Sequence, residues 1–524
     1  MVFKSTYPDI EIPRLTVAEM ALRKADTVPD KTALVDAASG DKLTYGQLKT
    51  YAERVAAWLA DQGYRKGDRI MLWAPNIIWY PVLFHGVTMA GCVATTANSL
   101  YTADEIAHQL KDSDAKAIIT ISAFLDRAKG ATAQQPVDQI VVLDGAEGHT
   151  DLMTILGNTA PVPQVDIDPA TDLAVLPYSS GTTGLPKGVM LTHENLVANV
   201  VQCQQMMTTM GEQSVVLAVL PFFHIYGLTV LMNFTLSQGA EVVTMTRFDL
   251  EAFLQAVQDH KVTKIYVAPP ILVGLTKHPI VDEYDLSSLV SITSGAAPLD
   301  ESLALAAEAR LGVPVMQGFG MTELSPVSHT VPDPLAGQLP RGSVGISLPN
   351  ILCRLVDPVT GQDAELGAEG ELWVKGPNVM AGYLNNEAAT AETIVEDGWL
   401  RTGDIASYDP QNGVYMITDR LKELIKYKGY QVAPAELEAV LLTHDEIVDS
   451  AVIGVPDEEG GEAPKAYVVR APNSSLTEED LKTWVAGVVA PHKKIRHVEF
   501  VDEVPKSSSG KILRKDLRAR HAGK

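Results

Sequence analysis

The sequence predicts an α/β protein with a large N-terminal unit and a smaller C-terminal one. Three observations carry this: helix and strand signals alternate along the first half, composition shifts from apolar to basic near residue 420, and a further alternating run follows. Thr44 with Gln47 forms a capping box; Leu48, Tyr51, Val55 and Leu59 make a helical stripe; Gly63 ends it, and RIMLW follows as a short buried strand. Thr102 with Glu105 repeats the capping device, and AKAIITIS follows as the next strand, so the first half reads as helices packed on largely parallel sheets. A hairpin signal at DPQNG, residues 409–413, precedes the strand VYMI and then the charged run DRLKELIKYKGYQ, where the boundary between units 1–420 and 421–524 is placed. Beyond it Pro434 opens a helix through ELEAVLL, DSAVIGV and KAYVVR read as strands, and Leu481, Trp484, Val485 and Val488 stripe another helix.

A chain of 524 residues, 46% hydrophobic, has enough apolar material for substantial cores. Its 42 Lys and Arg face 65 Asp and Glu, and the net charge of −23 argues against nucleic acid or anionic membrane as the main partner. Cys92, Cys203 and Cys353 are too few and too scattered for a disulfide framework or zinc cluster, and read as buried structural thiols. The N-terminus lacks an apolar signal region and the C-terminal HAGK matches no address sought, so a cytoplasmic protein is expected. Ser214 to Leu236 carries no Asp, Glu, Lys or Arg over 23 residues, yet Pro221, His224 and Gly227 interrupt it. It is read as buried strand, turn and core helix, and no transmembrane segment is expected. The sequence does not decide between monomer and homodimer.

The run YSSGTTGLPKG, from Tyr178 to Gly188, places four small hydroxyl residues, three glycines and one lysine in a single loop. Glycines let backbone N–H groups approach a polyphosphate, hydroxyls donate to its oxygens, and Lys187 supplies a compact positive charge. It departs from the Walker loop, because Pro186 precedes Lys187, Gly188 follows it, and Val189, Met190 and Leu191 are strand-like rather than helical. A second Ser/Gly loop, VPKSSSGKILRK around Lys511, sits in the small unit and is read as flexible. Two such loops on two units suggest closure over one substrate.

YSSGTTGLPKG, LPFFHIYGL, SGAAPL, QGFGMTE, GWLRTGD, DRLKELIKYKGYQVAPAELE and SSSGKILRK occur in this order, and nearly end to end the chain resembles acyl-CoA synthetases of the adenylate-forming superfamily, most of all the 4-coumarate:CoA ligases and bacterial relatives. The resemblance implies a large domain of stacked mixed sheets with packed helices and a small α+β lid. It also implies a two-step reaction on a small carboxylic acid with ATP and CoA as cosubstrates and Mg²⁺ as cofactor. A carboxylate becomes reactive toward a thiol only when its oxygen is made a leaving group, which adenylation achieves, and positioning with electrostatic stabilisation then dominates.

By the same resemblance Ser179, Ser180, Gly181, Thr182, Thr183 and Lys187 hold the β- and γ-phosphates. Ala296, Gln317 and Gly318 border the nucleotide, Thr322 meets the α-phosphate, and Glu323 helps to hold Mg²⁺. Asp404 and Arg420 contact the ribose, Lys511 bridges substrate carboxylate and α-phosphate, and His224 gates the reacting carboxylate. Tyr226, Val230, Ala296, Gly318, Val327 and Ser328 shape the acyl pocket, whose small residue at Gly318, where acetate-specific relatives carry tryptophan, implies an aromatic or a medium- to long-chain aliphatic acid. After adenylation the small domain turns about Lys422, and Lys426, Lys428, Gly429, Gln431 and Arg247 serve CoA. A luciferase-like oxidoreductase and an amino-acid adenylation enzyme are the alternatives, the latter disfavoured because PFFHIYG lacks an aspartate.

Overall fold

Parallel strands joined by helices dominate the two largest sheets. A computed structural model describes residues 1–179, 186–297, 299, 301–428, 430–457, 461–507 and 510–522. Among these residues one sheet of nine strands runs from Ile346–Ser347 through Val327–Thr330, Val315–Gly320, Ser291–Ser294, Lys264–Val267, Val215–Ala218, Glu241–Thr244 and Thr32–Asp36 to Lys42–Thr44. A second, of seven, is centred on Leu173–Ser179, Val93–Thr96, Arg69–Trp73 and Ala115–Thr120, and ends in the antiparallel strands Lys187–Thr192 and Gly382–Tyr383. Antiparallel pairing is confined to the edges of both, as crossover connections require. One continuous core joins these sheets through the helices Tyr45–Asp61, Trp79–Met89 and His193–Met206, and extends to the smaller antiparallel sheet that carries Trp399–Asp409 and Val414–Arg420.

The capping boxes at Thr44 and Thr102 form as predicted, each with reciprocal bonds to Gln47 and Glu105. The uncharged run divides into the strand Val215–Ala218, a turn and a helix. That helix is π-helical over Gly227–Phe234, a finding beyond the sequence reading, and every residue of it is buried. Gly227 allows the turn: a Cβ there would lie 2.1 Å from the Pro221 carbonyl oxygen. All three cysteines are buried and free. Among the described residues no helix is long and apolar enough to cross a membrane.

Sheet membership changes between Arg420 and Ile425. Strands Ile425–Tyr427, Tyr430–Val432, Ile447–Asp457, Gly461–Arg470 and His497–Phe500 form a separate sheet. Alternation along Ile447–Asp457 supplies both faces: Val452 packs with Leu437, Leu441, Leu481 and Val485, while Ala451, Ile453 and Val455 pack with Tyr467 and Leu517. The helices Pro434–Leu442 and Glu478–Val488 cover the first face and Arg514–Ala522 the second. One expectation fails here. Val488 is 60% exposed, because it is the last residue of its helix and falls beyond the buried turn formed by Leu481 and Val485.

Candidate active site

Strands Leu173–Ser179 and Lys187–Thr192 pair antiparallel with Ser179 opposite Lys187, and the glycine- and hydroxyl-rich loop segment is the sequence between them. Ser180, Gly181, Thr182 and Thr183 lie outside the described residues. At the mouth of that loop the Ser179 hydroxyl donates to Glu323 Oε1 at 3.3 Å, and the Tyr383 hydroxyl donates to the same oxygen at 2.7 Å. Lys187 Nζ stands 4.1 Å from the centre of the Tyr383 ring. Burial and the adjacent Glu323 carboxylate raise the Tyr383 phenol, which stays protonated and a donor. Tyr383 was not found from sequence: a lone Tyr in AGYLNN has no informative spacing, and only the strand pairing of Gly382–Tyr383 with Met190 and Val189 brings it here.

Glu323 and Thr322 open a short turn after the strand Val315–Gly320, and both are buried. Two residues before Phe319, the Gln317 side chain is engaged with backbone: its Nε2 donates to the Leu299 and Arg341 carbonyls at 3.3 and 2.5 Å, and its Oε1 accepts from Leu299 N. It therefore pins the neighbouring loop, in which Ala296 adopts φ +71°, a strained conformation for a residue with a Cβ.

Asp404 and Arg420 are cross-strand partners, and Arg420 Nε lies 3.3 Å from Asp404 Oδ1. The other oxygen, Asp404 Oδ2, is buried without a hydrogen-bond partner. Burial raises the carboxyl's pKa, opposed by Arg420 and then Lys511. An unsatisfied buried acceptor is costly, and a pair of vicinal hydroxyls would satisfy this one.

Lys511 is delivered from the small unit. Its turn is tied rather than loose: Ser507 N donates to Lys511 O at 2.8 Å, Gly510 N to Ser507 O at 2.9 Å, and Lys511 N to Ser507 Oγ at 3.1 Å. The expected flexible loop is thus a braced one over these residues; Ser508 and Ser509 lie outside the described set. Gly510 has φ +82°, and a Cβ there would stand 2.8 Å from that of Ala268 in the large unit. Desolvation, with the Arg420 guanidinium adding to it, pushes the Lys511 ammonium down to about 8, against the pull of Asp404 and Glu323. Lys511 also faces His224, whose imidazole is pushed down to about 3 by burial first and by the Lys511 charge second. His224 is therefore neutral, and its Nδ1 accepts from Tyr226 N at 3.3 Å. The structure thus brings Lys511, His224, Asp404, Arg420 and Glu323 into one electrostatic neighbourhood.

The candidate pocket residues lie beyond His224. Tyr226 meets Tyr266 edge-on at 6.5 Å, and Val230 is fully buried on the π-helix. Val327 is buried; the Ser328 hydroxyl is paired with His329 Nδ1 at 2.8 Å and so is committed to a neighbouring side chain. A Cβ at Gly318 would stand 3.2 Å from the His329 carbonyl oxygen of the neighbouring strand.

The hinge candidate Lys422 and the described residues expected to serve CoA lie at the surface. Arg247, Lys422, Lys426 and Lys428 are exposed, Lys428 at φ +50° with Nζ 5.6 Å from the Tyr427 ring centre. Gly429 and the Gln431 side chain lie outside the described residues. Among those described, no group of three or more His, Cys, Asp or Glu is arranged to hold a metal ion.

Fold and site together define a nucleotide-handling α/β enzyme with a small second unit. The chain belongs to the AMP-binding enzyme family: the family model matches residues 22–384, and the model of the AMP-binding enzyme C-terminal domain matches residues 436–511. It is 41% identical over 532 residues to 4-coumarate--CoA ligase 1 of Petroselinum crispum, covering 100% of this chain and 97% of the relative. Among solved structures it is similar to the anthranilate CoA ligase AuaEII in complex with anthranoyl-AMP, with a TM-score of 0.91 and 25% identity over 98% of both chains. The benzoate CoA ligase of Burkholderia xenovorans LB400 matches with a TM-score of 0.86 and 28% identity over 96% of this chain and 100% of that one.

Proposed function

We propose that the chain is an AMP-forming acid–CoA ligase that activates an aromatic carboxylic acid through an acyl-adenylate. In the first half-reaction a carboxylate oxygen attacks the α-phosphorus of ATP and the bond to pyrophosphate breaks. In the second, the CoA sulfur attacks the acyl carbon and the bond to AMP breaks. The observation that carries this reading is the seat of Lys511, a cation supplied by a second unit and desolvated beside Arg420, Asp404, Glu323 and His224.

Each residue has a role that its surroundings support. Lys187, already desolvated on one side by the Tyr383 ring, holds the departing pyrophosphate with the loop 179–183. Thr322 donates to the α-phosphate. Asp404 Oδ2 accepts from the ribose while Arg420 holds the other oxygen. Lys511 offsets the charge that gathers when one anion attacks another. His224, neutral at working pH, closes the site over the carboxylate without adding a competing charge. Ala296 and Gln317 fix the loop and strand that border the nucleotide.

The donor set fits Mg²⁺, which binds through one or two carboxylates with phosphate and water oxygens making up the rest. Glu323, buried and oriented by Ser179 and Tyr383, would hold it. When bound, the ion neutralises phosphate charge. The small unit, residues 421–524, then turns about Lys422, withdraws Lys511 and brings Lys426, Lys428, Gly429 and Gln431 to CoA, with Arg247 on the body side. The edge-on Tyr226 and Tyr266 rings, with no side chain at Gly318, support a ring-bearing acid. Val230, fully apolar, argues against a specific hydrogen bond to a ring hydroxyl at that point. The three buried thiols suit a cytoplasmic enzyme.

A screen of benzoates, cinnamates and C4–C16 fatty acids, read as AMP release and acyl-CoA formation, tests this. CoA-dependent AMP release is expected with aromatic acids, at higher kcat/KM than with aliphatic ones; AMP release that does not require CoA, or a preference for aliphatic acids, would overturn the reading.

A further inference from the structure

We propose that Asp419 is a positioning residue that locks the small unit onto the body in the orientation that delivers Lys511; the proposal rests on the two-step reading above. Asp419 is the penultimate residue of the body strand Val414–Arg420, pairs across it with Ile405, and is 5% exposed. Its Oδ1 accepts from Arg420 N at 2.6 Å, and its Oδ2 accepts from Ala435 N at 2.9 Å. That second bond crosses the junction at 421–424. Ala435 N is one of the N–H groups at the start of the helix Pro434–Leu442, which has no intrahelical partner, and the N-cap residue, Ala433, has no side chain to satisfy it. A carboxylate from the body therefore supplies the cap that the helix lacks.

The capped helix is rigidly joined to Lys511. Arg514, three residues beyond Lys511, clamps Glu438 of the same helix through Nη2 at 2.6 and 2.7 Å and donates from Nε to the Val452 carbonyl at 3.2 Å. The Arg514 charge also offsets the burial of Asp419. Arg518 of the last helix pairs with Glu423, next to Lys422. Asp419, the start of the helix, Glu438, Arg514 and the Lys511 turn thus form one continuous linkage from the body to the reacting lysine. Turning about Lys422 parts both Ala435 N and the Arg514 charge from Asp419, while Arg420 stays with Asp404 on the body.

Asp419→Ala and the milder Asp419→Asn, made in the full chain, test the lock on the two half-reactions separately. With benzoate, or the best acid of the screen, acid-dependent pyrophosphate release without CoA is expected to slow about tenfold to a hundredfold in Asp419→Ala and less in Asp419→Asn. CoA-dependent consumption of the corresponding supplied acyl-adenylate is expected to stay level or rise. A merely structural defect would lower both rates together; that result, or no change in either, overturns the proposal. Hydrogen exchange on the ligand-free protein gives an answer independent of activity: faster exchange confined to the first turn of residues 434–442 supports the lock, and unchanged exchange there overturns it. If no acid elicits pyrophosphate release from the unmodified enzyme, the two-step reading fails while the exchange result still decides the lock.

Discussion

At the end of the site proposed to hold pyrophosphate, Ser179, Lys187, Glu323 and Tyr383 are fixed by strands and turns of the large unit, whereas the opposite end receives Lys511 from a turn of the small one. In the first group the donors and the carboxylate meet through strands and turns of a single unit. The second depends on docking, through Gly510 against Ala268 and through the linkage that reaches Asp419. The difference teaches where binding and catalysis separate. Under the proposed two-step reading, the nucleotide grip belongs to the body and the group needed for only one reaction belongs to the unit proposed to move.

Substitutions that touch one end alone break this comparison in order of expected effect. Gly510→Val at the docking end gives a positive-φ residue a branched side chain facing Ala268, and pyrophosphate release should fall about a hundredfold with ATP affinity nearly unchanged, as equilibrium dialysis would show. Gly318→Trp should fill the acyl pocket: kcat/KM for aromatic acids is expected to drop about thirtyfold or more relative to acetate, measured by competition. Tyr383→Phe removes one donor from Glu323 at the body end and should raise the KM for ATP about five- to tenfold while leaving CoA attack on supplied adenylate unaffected.

The smallest effect is on pH dependence. With the Lys511 ammonium pushed down to about 8, its charge is present below that pH and lost above it, so kcat/KM for pyrophosphate release, which follows ionisation of the free enzyme, should decline as pH rises through about 8. His224, down near 3, should add no limb between pH 5 and 8, and a profile rising through pH 6 to 7 would contradict that assignment.

Much of the frame was legible because its signals are local. Thr44 and Thr102 cap their helices within three residues, and Pro434 opens its helix at the first position. The apolar run after Gly227 reads as a helix but carries no mark that distinguishes π from α, because burial on all sides erases periodicity. Val488 fits the stripe pattern, yet its helix ends there and leaves it in solvent. Ordered motifs nominated most of the candidate site. Tyr383 on Glu323 and Asp419 on Ala435 escaped, since each joins residues whose proximity is set by strand pairing or by docking of the units and by no spacing in the chain. The loop around Lys511 reads as flexible because of its Ser and Gly content, but the bonds of Lys511 and Gly510 to Ser507 and the contact of Gly510 with the body brace it.

Single-turnover measurement of both half-reactions in Lys511→Ala tests the central claim most directly. Acid-dependent pyrophosphate release should fall about 10²- to 10³-fold while CoA consumption of supplied acyl-adenylate proceeds at the unmodified rate. Equal loss of both, or retention of both, would contradict the separation of a fixed nucleotide grip from a delivered lysine.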